Sequence, residues 1–294
     1  MGMGPDLIAS YKSAEAVARR RSNFYYSFLV LPSEKKRAFC AVYAFMRHCD
    51  DISDDSGIPS DKRKLLNDWR AQLDLVYSGD AVKNAILPAF RDTVDNFSIP
   101  AKYFHWIIDG AEADLDIHQY ETFDDLYKYC FNVASAVGLV CIQIFGFDEE
   151  CAKKYAEQCG IAFQLTNILR DVKEDAGRGR IYIPLEDLRR FDYSPDDLHR
   201  GIFDERFEKL MRFETERTRE YYSAARKLLP LVEKASKPAL WAMIEIYERI
   251  LNRIVQVEFD VFRNSIHLAG REKAVIALRA LAMRFAGRFG MQAA

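Results

Sequence analysis

An all-α, single-domain fold is the expectation for these 294 residues, and three observations predict it. Gly (14) and Pro (9) together make about 8% of the chain against a typical ~12%, too few for a turn-rich β-sandwich, a collagen-like chain or long flexible linkers. Hydrophobic residues are 49% and charged residues 29%, which excludes disorder and leaves ample apolar material for one large core. Nearly every segment between turn signals carries apolar residues at helical spacing, and none alternates as a half-buried strand would. Length permits two domains, but no linker longer than about ten residues divides the chain, so 1–294 reads as one domain of roughly ten helices.

The elements follow in order. Pro32-Ser33 opens a helix whose Phe39, Val42, Tyr43, Phe45 and Met46 share a face. Gly57, Pro59 and Ser60 punctuate it, and a second helix runs from about Asp61 to Tyr77 with Leu65, Leu66, Trp69, Leu73 and Val76 on one side. Ser98-Ile-Pro100 starts another that reaches about Ile117. Thr122 and Asp125 resemble a capping box at the head of a helix continuing to about Phe145. Within it the apolar stretch from Val133 to Phe147 is too short to span a bilayer and reads as a core helix. Asp148 is the expected cap of a helix ending near Asp175, before the sharpest break in the chain, Ala176-Gly-Arg-Gly-Arg180. That break is neither a P-loop nor a dinucleotide fingerprint, since no strand precedes it. Helices over Asp204–Leu229, Pro238–Phe262 and Arg271–Phe289 complete the set.

Lys+Arg at 42 against Asp+Glu at 44 leaves a net charge of −2 and no basic footprint, so no nucleic-acid partner is expected. Cys40, Cys49, Cys130, Cys141, Cys151 and Cys159 form no C-x-x-C pair and sit mostly among apolar residues, which suits free buried thiols in a reducing cytoplasm. The five histidines are scattered, against a zinc site. The N-terminus lacks the apolar centre of a signal peptide, and Asp6 stands where an N-myristoylation pattern wants Ser or Thr. The expected location is cytoplasmic. The last helix mixes Arg271, Lys273, Arg279, Arg284 and Arg288 with Leu278, Leu281, Met283, Phe285 and Phe289; it suits either packing on the bundle or peripheral contact with the inner face of the membrane.

Two acidic clusters carry the chemistry. Asp50 and Asp54 lie one helical turn apart, as do Asp171 and Asp175. Like charges at this spacing destabilise a helix, and both clusters fall near helix C-termini, where the macrodipole also disfavours anions. Two violations of one rule point to compensation by cations; a solvated acidic face is the plain alternative for either cluster alone. The second cluster continues a polar stripe, Gln164, Asn167, Asp171 and Asp175, along an otherwise apolar helix, as the wall of a lined cavity requires. Paired hard oxygen ligands suit Mg²⁺, which shares its shell with water and substrate phosphates, so two facing pairs would gather Mg²⁺ around diphosphate groups.

At these residues the chain resembles the squalene and phytoene synthases, which join two prenyl diphosphates head to head. Tyr43-Ala-Phe-Met-Arg47-His-Cys-Asp50-Asp51-Ile-Ser-Asp54 is similar to that family's Y-A-x-x-R-x-x-D-D-x-x-D. Gln164-Leu-Thr-Asn167-Ile-Leu-Arg170-Asp171-Val-Lys-Glu174-Asp175 resembles its Q-L-x-N-x-x-R-D-x-x-E-D. Tyr129-Cys-Phe-Asn-Val-Ala134-Ser-Ala-Val-Gly138 and Gly179-Arg180-Ile-Tyr182-Ile-Pro184 resemble Y-C-x-x-V-A-x-x-V-G and G-R-x-Y-x-P. Order and spacing agree over about residues 22–265, most of the chain. One departure stands at Arg21-Ser22-Asn23-Phe24-Tyr25-Tyr26, where many members have S-x-S before an aromatic pair.

The resemblance implies an isoprenoid synthase-type helical bundle with a central cavity. It implies Mg²⁺, with Mn²⁺ as an alternative, on Asp50, Asp51, Asp54, Asn167, Asp171, Glu174 and Asp175. Tyr43, Arg47, Tyr129, Arg170 and Tyr247 are then the catalytic candidates. Ser22, Asn23, Phe24, Tyr26, Arg47, Ala134, Gly138, Gln164, Asn167, Arg180 and Tyr182 would contact substrate. The segment 135–146 most resembles bacterial presqualene diphosphate synthases, so the expected reaction joins two farnesyl diphosphates, with phytoene synthesis from two geranylgeranyl diphosphates as the rival. NADPH is not expected to be required, since no Rossmann fingerprint is present. Enzymes that consume the product are expected as pathway partners. A chain-elongating synthase is disfavoured because the second cluster is D-x-x-x-D, and a non-catalytic assembly factor because all four carboxylates are kept. Arg47 as a plain salt-bridge partner, Tyr129 and Tyr247 as packing residues, and Asp114 as either a site residue or a surface acid remain open on sequence grounds.

Overall fold

The computed structural model describes residues 3–22 and 24–289. Its first helices are α1 (Pro5–Arg21), α2 (Tyr25–Phe28), α3 (Ser33–Asp54), α4 (Pro59–Ser78), α5 (Leu87–Asn96) and α6 (Ala101–Ala113). Then come α7 (Phe123–Cys130), a π-helical turn (Phe131–Ser135), α8 (Ala136–Phe145), α9 (Ala152–Gly177), α10 (Leu185–Arg190) and α11 (Pro195–His199). The chain closes with α12 (Glu205–Ala225), a 3-10 turn (Arg226–Leu231), α13 (Lys237–Gln256) and α14 (Gly270–Phe289). Among the described residues β-structure is limited to two isolated bridges, Gln119–Ile181 and Phe147–Val232. The all-α expectation therefore holds, with more and shorter helices than the periodicity suggests.

The differences have local causes. α5, in a stretch to which the sequence reading assigns no element, is ten residues long and buries Leu87, Ala89, Phe90 and Val94; its Pro88 sits in the first turn, where a missing N–H does no harm. The run expected from Thr122 to Phe145 is helical throughout but changes pitch over Phe131–Ser135. Those 23 residues, Phe123–Phe145, are long and apolar enough to cross a membrane by length and composition, which corrects the shorter estimate, yet more than half of the apolar window is packed inside the bundle. α9 starts at Ala152 behind Cys151, not at Asp148. Asp204, expected as the first residue of a helix to Leu229, instead caps α12, its carboxylate accepting from the Arg206 and Phe207 N–H groups, and the last part of that run, from Arg226, is the 3-10 turn. α13 ends at Gln256, six residues before the expected end. Leu65 is half exposed, while Leu66, Trp69, Leu73 and Val76 are buried. All six cysteines are free, as expected; Cys40, Cys49, Cys130 and Cys159 are buried, Cys141 is half-buried and Cys151 is exposed.

α9 is the central element, about 39 Å long at 1.5 Å per residue. It packs on α12, α8, α13 and the π-turn. Small residues make the approach possible. A Cβ at Gly160 would lie 2.5 Å from the Ala134 carbonyl oxygen, and one at Gly138 would lie 2.5 Å from that of Ala156. One aromatic cluster, Phe45 against Phe90 (4.4 Å), Trp69 (4.9 Å) and Phe104 (5.2 Å), locks α3 to α4, α5 and α6. α3 and α9 thereby become two fixed walls.

Candidate active site

Between those walls lies a cavity of about 330 Å³. Tyr43, Arg47 and Asp50, three and four residues apart on α3, line one side. Gln164 and Asn167 on α9 line another, and Tyr129, Ala134 and Gly138 a third. Tyr247 of α13 stacks on both Phe24 (5.0 Å, 9°) and Phe163 (4.5 Å, 24°), which also stack on each other (5.9 Å, 29°), giving the cavity a three-ring aromatic wall. Phe163 was not singled out from sequence; its place one residue before Gln164 on the same helix was the available signal. Most of the remaining lining is apolar, including Val42, Met46, Ile107 and Met243.

The two acidic clusters come together at the ends of α3 and α9. Arg178 joins them, 2.7 Å from Glu174 and 4.0 Å from Asp54. Sequence reading passed over this arginine in favour of Arg180, although both flank the Gly179 turn. Arg47 donates to Asp51 (Nε to Oδ1, 2.8 Å) and lies 3.7 Å from Asp50, so it is a salt-bridge partner and a cavity residue at once. Arg170 grips Asp171 with two hydrogen bonds of 2.7 and 2.5 Å. Asp50 lines the cavity and keeps 57% of its side-chain surface exposed. The protein around it still strips enough water to push its carboxyl up to about 6, against the pull of Arg47. Desolvation and then Asp171 push Asp175 up to about 7.

Asn167 donates to Gln164 (3.3 Å), while its own Oδ1 is buried with no hydrogen-bond partner. Such an orphaned acceptor beside raised carboxylates fits a cation better than it fits a closed polar core. Among the described residues no three His, Cys, Asp or Glu side chains converge on one point, so the expected metal residues do not form a self-sufficient cage. That donor set suits a hard ion that completes its shell with water and phosphate oxygens, as Mg²⁺ does.

Several expected contacts lie elsewhere. Tyr182 is buried behind Asp114, donating to its Oδ1 (2.9 Å), and does not reach the cavity wall. Tyr26 points to the start of α14, with its hydroxyl 3.7 Å from where a Cβ of Gly270 would stand. Ser22 accepts the Phe24 N–H (3.0 Å), shaping the turn into α2, and its side chain is also hydrogen-bonded to Tyr43 of the cavity wall. Asn23 lies outside the described residues. Asp114, left open by the sequence, lines the cavity beside Tyr129. Arg180 donates to the Asp114 carbonyl (3.2 Å) and lies within electrostatic reach of Asp54 and Asp175.

The squalene/phytoene synthase family profile matches residues 17–272. A phytoene synthase of Mycobacterium tuberculosis is 37% identical over 277 residues, 93% of this chain and 91% of that protein. A 15-cis-phytoene synthase of Synechococcus elongatus is 33% identical over 266 residues, 86% of each chain. A crystal structure of a dehydrosqualene synthase with ligand superposes with a TM-score of 0.87 at 28% identity, covering 94% of this chain and 97% of that one. Squalene synthase HpnC from Alicyclobacillus acidocaldarius does so with a TM-score of 0.82 at 25% identity, covering 87% and 97%. A bundle whose two acidic helix ends face each other over an apolar cavity, matched over nearly its whole length by these proteins, is a prenyltransferase: the chain belongs to the squalene/phytoene synthase family.

Proposed function

We propose that this enzyme condenses two farnesyl diphosphates head to head (1′-2-3) into presqualene diphosphate, on the way to squalene and hopanoids. The observation that carries the reaction type is the pair of opposed carboxylate clusters, with arginines between them, at the mouth of one aromatic-walled apolar cavity. Chain length is argued from depth. Phe28, Phe39 and Phe145 close the inner end, with Phe39 packed 5.1 Å from Phe28 and 4.8 Å from Phe145. Phe39 stands eleven residues before Asp50, about 16 Å along α3. At about 1.2 Å per bond an extended farnesyl chain reaches about 13 Å and a geranylgeranyl chain about 18 Å. The phytoene synthase names of relatives 33–37% identical favour the second reading, condensation of two geranylgeranyl diphosphates.

Asp50 and Asp54 would hold the metal from α3, and Asp171 and Asp175 from α9, with Asp51, Glu174 and the Asn167 carbonyl in support. When held there, Mg²⁺, or Mn²⁺ in its place, would supply charge neutralisation of the diphosphates. Arg47, Arg170, Arg178 and Arg180 add positive charge around the departing group. The rings of Phe24, Phe163 and Tyr247 present π-faces to the allylic cation left behind, and the apolar lining keeps water from quenching it. Tyr43, half-buried on the opposite wall, keeps its proton, since burial pushes its hydroxyl up to about 12.

The test incubates the pure protein and Mg²⁺ with farnesyl or geranylgeranyl diphosphate, with and without NADPH. Presqualene diphosphate from the C15 substrate without NADPH is the expected result. A C40 product from geranylgeranyl diphosphate, with no turnover of farnesyl diphosphate, would overturn the chain-length choice.

A further inference from the structure

Asp114 is a costly residue where it stands. It caps the C-terminus of α6, the end of a helix that repels anions, and most of it is withdrawn from water. Among the described residues no cation is ion-paired to its carboxylate; the Arg180 guanidinium acts on it only at longer range, pulling its carboxyl down against the desolvation. Its Oδ1 accepts the Tyr182 hydroxyl at 2.9 Å and its Oδ2 the Tyr129 hydroxyl at 3.1 Å, while Arg180 is spent on its main-chain carbonyl. Tyr129, Tyr182 and Tyr120 pack as a ring cluster around it, with centroids 5.2–6.0 Å apart. An apolar side chain at 114 would pack there without this desolvation, so fold stability does not account for the acid.

The direction of the hydrogen bonds is informative. The Tyr129 hydroxyl donates to Asp114 (3.1 Å), with the Tyr182 hydroxyl a longer second acceptor (3.4 Å), so what its oxygen can offer an incoming proton is a lone pair. Burial, with Asp114 adding to it, keeps Tyr129 a neutral phenol, and desolvation raises the Asp114 carboxyl above the usual carboxylate range. A weak oxygen base at the wall is thus backed by a stronger one behind it.

We propose that Asp114 is the terminal acceptor of the proton lost as the cyclopropane closes, and that Tyr129 relays it. The inference rests on the head-to-head reading above. In that reaction the second substrate's C2–C3 double bond attacks C1′ of the allylic cation, leaving positive charge at C3. The C1′–H bond then breaks and its electron pair forms the C1′–C3 bond. The proton goes to the Tyr129 oxygen as the Tyr129 proton passes to Asp114 Oδ2, so the phenol is regenerated and one neutral carboxyl results. It returns its proton to water when the product leaves. Tyr182, on the other carboxylate oxygen, keeps Oδ2 aimed at Tyr129; Asp114 and Tyr182 are positioning residues that act through Tyr129.

The test uses the whole protein, Mg²⁺ and farnesyl diphosphate deuterated at C1, in single-turnover experiments. Asp114→Asn keeps the shape and removes the base. Cyclopropane formation should slow about 10²-fold or more, with KM little changed. A primary deuterium isotope effect should appear that the parent enzyme lacks, because proton loss becomes limiting; a merely structural loss would not create one. Thermal melts establish that the variant is folded. If it is not, Tyr129→Phe must show the same slowing and isotope effect. Parental rates in the folded variant, or slow turnover without an isotope effect, overturn the relay. Parent enzyme that makes no cyclopropane from either the C15 or the C20 substrate overturns the head-to-head reading itself, and the relay with it.

Discussion

Two glycines on α9 are predicted to respond in opposite directions to the same substitution. A Cβ at Gly160 would meet the Ala134 carbonyl oxygen at 2.5 Å, the Ala134 carbonyl carbon at 2.6 Å and the Ser135 Cα at 2.7 Å. All three are backbone atoms of the π-turn, so no rotamer change relieves the clash and the two helical segments must separate. Overpacking of this kind costs about 1–3 kcal/mol, and three backbone contacts place Gly160→Ala near the upper end. Greater helix propensity returns up to about 1 kcal/mol, leaving a net loss of about 2 kcal/mol. At about 2–4 °C per kcal/mol for a large domain, the melting temperature should fall by about 4–8 °C. A Cβ at Gly177 meets nothing within 4 Å, so Gly177→Ala keeps the propensity gain alone and should melt about 2–4 °C higher. Calorimetric or circular-dichroism melts of both variants are the assay. A Gly160→Ala protein as stable as the parent would refute the claim that Gly160 is there for close approach.

Three further outcomes follow from the same structure. Asp50, raised to about 6, and Asp175, raised to about 7, hold protons in the folded state above the ordinary carboxylate value of 3.8. The folded form therefore binds more protons than the unfolded one in that window, and metal-free protein should melt lower at about pH 8 than at about pH 5.5, with Mg²⁺ reversing the loss; a melting temperature that rises with pH contradicts it. Arg217 bonds both Asp187 (2.7 Å) and Glu214 (2.9 Å) in a buried cluster with one acid too many, and desolvation raises Glu214 to about 8. Arg217→Ala should therefore cost about 3–5 kcal/mol in urea melts, while Glu214→Gln, replacing an acid already protonated, should stay within about 1 kcal/mol. On α14 the side chains of Val275 (45%), Leu278 (64%), Met283 (44%) and Phe285 (52%) are exposed beside the exposed Arg271 and Arg279. We expect the protein to float with anionic vesicles at low salt and not with neutral ones, and Leu278→Asp with Phe285→Asp to abolish it; no flotation of the parent removes the expectation of peripheral membrane contact.

The legible part of the site was the part written at helical spacing. Tyr43, Arg47, Asp50 and Asp54 stand on one face because three- and four-residue steps put them there, and Gln164, Asn167, Asp171 and Asp175 do the same on α9. What spacing does not carry is how helices distant in sequence meet. Tyr182 sits in the Gly179-Arg180-Ile-Tyr182-Ile-Pro184 motif, yet its hydroxyl turns to Asp114, 68 residues away, and not to the cavity. Phe163 looked like one more apolar residue of α9 until Tyr247 stacked on it from α13. α5 was unreadable because ten residues with an early proline offer too few turns for a periodic signal.

Composition and periodicity were enough to establish the all-α class, and two short acidic patterns were enough to establish that each of two helices ends in a carboxylate pair. These are local properties, set by backbone geometry within a few residues. Whether the two pairs face each other, whether Arg178 lies between them, and whether Asp114 is a surface acid or the buried partner of Tyr129 depended on packing. Gly160 and Gly138 bring α9 against the π-turn and α8, and that approach shapes the cavity lined by Tyr43, Arg47, Asp50, Tyr129, Asn167 and Tyr247. Burial then raised the carboxyls of Asp50 and Asp175, because desolvation acts through the whole surrounding structure and not through the neighbours in the chain.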